Sequence, residues 1–102
     1  MSGRRRCQTP LMVTRSADRR TARSQRATEV FGKHADAALD ALALLDFAWH
    51  DCYGEPAPSD TIMEDIWEVS GGNLAQFIVA AHLAVIDFRD LRVWANEHRE
   101  GN

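Results

Sequence analysis

The stretch NLAQFIVAAHLAVIDFRDLRVWANE, residues 73–97, decides the fold class. Asn73 is a favoured helix N-cap, and Gln76 three positions on completes a capping-box spacing, so a helix starts here. At 100° per residue, Leu74, Phe77, Ile78, Ala81, Val85, Phe88 and Leu91 fall on one stripe. Val79, Leu83, Ile86, Val93 and Trp94 fall on a second, on roughly the opposite side. A helix apolar on two flanks is normally covered on both, and a small domain has little with which to cover the second. The second stripe is therefore expected to be a partner interface.

Outward from this helix, Gly71-Gly72 breaks the chain and a shorter helix runs from about Asp60 to Val69. Ser59 is its expected N-cap, with Thr61 competing because Thr61 and Glu64 also have capping-box spacing. Ile62, Ile66, Trp67 and Val69 are expected to face inward, and Glu64, Asp65 and Glu68 to face water. Gly54, Pro56 and Pro58 form the preceding loop. Before it, Phe31, Ala35, Ala38, Leu39, Leu42, Leu45, Trp49 and Cys52 share one face of a helix expected from Thr28 to Tyr53, with Cys52 as a small buried hydrophobe. Ala43, Leu44 and Phe47 turn the opposite face apolar near its end. The three tryptophans, Trp49, Trp67 and Trp94, fall one per helix, as core or interface anchors.

The expected fold is thus all-α: a small three-helix domain, long-short-long, over residues 28–97, with a flexible Arg-rich N-terminal arm at 1–27 and a tail at 98–102. Residues 1–15 have no apolar period and are expected to be disordered, whereas 16–27 are either coil or an extension of the next helix. The arm is electrostatically opposite to the rest. Residues 1–33 carry nine Lys/Arg against two acids, net +7, and residues 34–102 carry three against thirteen, net −10. Such asymmetry points to a charged partner or an interaction tail. Met12 is a second candidate start, which would leave six basic residues before His34. The longest apolar stretch, Leu74 to Phe88, is interrupted by Gln76, His82 and Asp87 and falls short of the roughly 20 residues that cross a bilayer. The residues behind Arg4-Arg5-Arg6 supply no apolar core for secretion, so the expectation is a cytoplasmic protein without a membrane role.

Arg4, Arg5, Arg6, Arg15, Arg19, Arg20, Arg23 and Arg26 are candidate contacts for nucleic-acid phosphates or for an acidic protein surface. No aromatic residue in the arm stacks on bases, and the helix that starts at Asn73 offers no cation before Arg89, which excludes a helix-turn-helix reader. Asp46 and His50, at i and i+4, are a candidate structural pair, and His82 a core or interface histidine. His50 and Cys52 diverge round their helix, so no Cys–His nucleophile forms.

Asp65-x-x-Glu68 on the short helix is followed, after eighteen residues, by Asp87-x-x-Asp90 on the long one. Carboxylates at i, i+3 share a helix face, and two such pairs facing each other hold Mg²⁺. The pattern is similar to that of the all-α MazG-type nucleotide pyrophosphohydrolases, Glu-x-x-Glu, a spacer, then Glu-x-x-Asp. The similarity covers four positions, most of them shorter Asp or shifted. It implies Mg²⁺-dependent hydrolysis of nucleoside triphosphates that depends on Asp90.

Solvated acidic faces are far commoner than such a site. The expected function is therefore non-enzymatic, with no cofactor and no metal: a regulatory or accessory interaction module, self-associating or bound to a protein partner. It would associate through Val79, Leu83, Ile86, Val93 and Trp94, while the arm attaches electrostatically. Nucleic-acid binding through the arm is the alternative, and the MazG-like enzyme the second.

Overall fold

The computed structural model describes residues 11–101 in backbone and, from Ala17 onward, in side chain. All its regular elements are helical: α1 (Leu11–Phe31), a 3₁₀ turn (Gly32–His34), α2 (Ala35–Tyr53), α3 (Asp60–Ser70) and α4 (Leu74–Glu100). Helices α2, α3 and α4 are the long-short-long set, and the basic segment adds a fourth helix in front of them. The continuous helix expected over Thr28–Tyr53 is instead split. Gly32 turns the chain at φ 56, a conformation with a steric cost for any residue carrying a Cβ. Helix α1 then runs back antiparallel along α2, bringing Arg20 to Asp40 and Arg23 to Asp46.

Local signals set the remaining boundaries. The Ser59 hydroxyl accepts from the Ile62 N–H at 3.4 Å, so Ser59 and not Thr61 caps α3. The Asn73 side chain accepts from the Gln76 N–H at 2.9 Å and starts α4. The tight connection through Gly71 and Gly72 makes α3 and α4 an antiparallel pair, and α2 packs across α4 to join the two hairpins.

The core runs along these contacts. Phe31, Trp67 and Phe77 form an aromatic cluster with centroids 4.9 to 6.0 Å apart, joining α1, α3 and α4. The Arg26 guanidinium covers Trp67 at 4.7 Å from the ring centroid. Leu39, Leu42, Leu45, Met63, Ile66, Val69 and Leu91 fill the space between the helices. Ala80, Ala81, Ala84 and Ala95 let the neighbouring helices approach α4 closely.

Several placements go against or beyond the sequence expectation. Cys52 is exposed, because α2 presents its last turn to solvent. Asp65 does not face water but is buried, since its helix face turns towards arginines of α4. Leu44 and Phe47 are left uncovered.

Helix α4 is not continuous either. Asp87 has extended dihedrals, φ −159 and ψ 89, and divides it in two. The Asp87 carboxylate accepts from the N–H groups of Arg89 at 3.0 Å and Asp90 at 3.3 Å, capping the second half. In an unbroken helix the Val85 carbonyl would accept from Arg89; here the Tyr53 hydroxyl of α2 donates to it at 3.3 Å. Tyr53 also joins Trp49 and Phe88 in a second aromatic cluster. The interruption is thus satisfied on both sides. Asp87→Ala should cost about 1 kcal/mol of stability by chemical denaturation, the usual worth of a helix cap.

Candidate interaction surface

The acidic α2 and α3 use most of the basic residues of α1. Asp46 is 5% exposed and receives Arg19 Nε at 3.1 Å and both terminal nitrogens of Arg23 at 2.9 and 3.1 Å. A carboxylate so placed has four acceptor positions and three charge-assisted donors aimed at them. The expected Asp46–His50 pair is replaced by this clasp. Farther along the helix pair, Arg20 bonds Asp40 at 2.9 Å, with Asp36 4.0 Å away. Arg26 spans Glu64 of α3 with both terminal nitrogens.

Arg19, Arg20, Arg23 and Arg26 therefore meet acids of their own chain. Arg15 lies in α1 with its side chain outside the described residues, and Arg4, Arg5 and Arg6 lie outside them altogether.

A second clasp closes the other hairpin. Asp65, 1% exposed, receives Arg99 at 2.9 Å and lies 3.6 Å from Arg92. Glu68 meets His98 Nδ1 at 2.8 Å and Arg99 Nε at 3.8 Å. Both acids of the first carboxylate pair are thus engaged by cations of α4, and Asp87 is turned onto its own backbone. The geometry does not bring the four carboxylates together, and among the described residues no group of three or more His, Cys, Asp or Glu could hold a metal ion.

With most of the described arginines paired internally, the conspicuous surface is apolar. Between α2 and α4 lies a groove of about 260 Å³ lined by Ala41, Leu44, Leu45, Ile78, His82 and Val85, among others. On its rims Leu44 is 69% and Ile78 46% exposed. Phe47, 61% exposed, shares a helix side with Leu44 three residues away, and Val79 and Ile86 continue the apolar side of α4. Of the five stripe residues expected from the sequence, Val79, Ile86 and Val93 are exposed, whereas Leu83 and Trp94 are half-buried against the core. The break at Asp87 shifts the helical phase between Ile86 and Val93, so the five do not form one continuous stripe. Leu44, Phe47 and Ile78 were the missed members. The apolar turn of α2 after Asp40 was a visible signal for the first two.

No family model matches the chain, and no curated protein or solved structure matches it either. Among the described residues no helix is long and apolar enough to cross a membrane.

Two outcomes follow from the ion pairs. Asp46→Ala leaves two arginines without their carboxylate at a mostly buried site, and should cost about 3 kcal/mol. Hydrogen exchange should then show α1 amides losing protection ahead of those in α4. The Glu64 carboxyl is held below its ordinary value of 4.5, chiefly by the hydrogen bond from Arg26, with burial opposing. Its contribution is therefore complete above that value and is lost as acid titrates it through the lower folded value. Glu64→Gln should lower stability in the neutral range, leave it nearly unchanged in strong acid, and so flatten the acid limb of the stability profile.

Proposed function

We propose that the chain is a non-enzymatic helical interaction module, a regulatory or accessory subunit, that pairs with a second copy of itself through the apolar α2–α4 face. The observation that carries this reading is that Leu44, Phe47, Ile78, Val79 and Ile86 stand exposed round a groove whose lining has His82 as its one polar member. A contiguous apolar patch of this kind marks an association surface. The occupant is read as a second copy because a two-fold pairing sets the apolar rims Leu44 and Ile78 of each copy against an equally apolar lining in the other. A two-fold pairing also brings no charge into the lining. The internal engagement of four arginines by Asp36, Asp40, Asp46 and Glu64 speaks against electrostatic attachment by α1 as the main contact.

Light scattering across micromolar concentrations tests the reading. The wild type should be dimeric, and Leu44→Glu or Ile86→Glu should weaken the dimer at least ~10-fold while leaving the thermal midpoint of the monomer nearly unchanged. Leu83→Glu is a poorer probe, because Leu83 also packs on the core. A wild type that stays monomeric over that range defeats the proposal.

A further inference from the structure

Among the described residues, the starts of α3 and of both halves of α4 are marked by side chains. Ser59 caps α3, Asn73 caps α4, and Asp87 caps the second half of α4. Helix α2 has none: His34 at its start makes no side-chain cap bond, nor does Phe31 before the 3₁₀ turn. The turn rests on Gly32, whose left-handed φ of 56 favours glycine, and a Cβ built there meets nothing within 4 Å. Meanwhile the apolar face runs through the turn without a change of phase, from Ala27 and Phe31 to Ala35, Ala38, Leu42 and Leu45, all of them buried. Residues on both sides of the turn therefore suit one uninterrupted helix.

The helix on the near side of this turn is held largely by charge. Ala27 and Phe31 are the only buried residues of α1 among its described side chains, and both lie in its last turns. Its preceding turns are held by Arg19 and Arg23 on Asp46 and by Arg20 on Asp40. Nothing in those contacts requires both partners to belong to one chain.

We propose that α1 exchanges between two copies of this chain. Gly32–His34 straightens, Leu11–Tyr53 becomes a single helix of roughly 65 Å at 1.5 Å per residue, and Arg19 and Arg23 of each copy clasp Asp46 of the partner subunit. The contacts of α1 are the same in both forms, so the balance is set at the hinge and by concentration. Straightening gives the uncapped N–H groups at the turn their intrahelical acceptors. Against it stands the advantage of a tethered α1, worth an effective concentration on the order of millimolar for a short connection. The closed hairpin is the dilute form and the exchanged pair the concentrated one. Salt screens the exposed Arg20–Asp40 pair but the buried Asp46 clasp much less, so α1 stays in place at moderate ionic strength. The proposal does not rest on the apolar α2–α4 face.

Two measurements test it, both in a Leu44→Glu background so that association through the apolar face is read separately. Gly32→Ala favours the straight hinge in each of two copies and should tighten the dimer at least about 30-fold by sedimentation equilibrium; an unchanged dissociation constant overturns the proposal. In the second, one chain carries Arg19→Glu with Arg23→Glu and another carries Asp46→Arg. Neither closes its own clasp, but each supplies what the other lacks. Mixing them should produce a heterodimer in which α1 amides regain protection from hydrogen exchange. A mixture that remains monomeric and unprotected overturns the proposal. If Asp46→Arg does not fold alone or on mixing, the Gly32→Ala constant decides.

Discussion

The Asp46 carboxylate, gripped by Arg19 and Arg23, is the contact on which the placement of α1 depends. Between Ala17 and Arg26 helix α1 contributes no buried side chain, so burial alone would not hold these turns. A carboxylate inside a protein carries a desolvation cost that only well-placed donors offset. Here three donors do so, and in return a strongly basic helix is fixed against an acidic one. Asp65 with Arg99 and Arg92 repeats the arrangement between α3 and α4. The two hairpins thus share one device, and Arg19, Arg20, Arg23 and Arg26 spend their charge on acids of the same molecule.

Much of the architecture was readable from residue pattern. The all-α class, the caps Ser59 and Asn73, and the buried face of Phe31, Leu39, Leu42, Leu45 and Trp49 follow from apolar spacing and local hydrogen-bond chemistry. Both helix interruptions escaped. Gly32 costs only about 1 kcal/mol in a helix, so its presence did not distinguish a turn from a tolerated interior glycine. Asp87 reads as an ordinary acid on a helix surface, and its capping role emerges only when Tyr53 arrives from another helix to satisfy Val85.

The surface was legible in half. Periodicity identified Val79, Ile86 and Val93 as surplus hydrocarbon, since a domain this small has little with which to cover a second flank. It did not place Leu44 and Ile78 on facing rims of one groove, because that depends on how α2 crosses α4. The arginines misled for a related reason. Composition gives the sign of a segment's charge but not the address of its counter-charge, which for the four described arginines of α1 is the same chain. Asp65 was misplaced likewise, because an acid on a short helix is normally solvated unless distant cations fold onto it.

The small side chains of α4 carry a consequence for how this protein can vary. Ala80, Ala84 and Ala95 are fully enclosed in the core between α4 and its neighbours. Enlarging any of them would wedge the bundle apart, with a penalty of about 1–3 kcal/mol for overpacking. The flank bearing Val79 and Ile86 has no such ceiling. Descendants of this chain are free to remodel that outer flank, and with it the company they keep, while the inner seam stays frozen at methyl size.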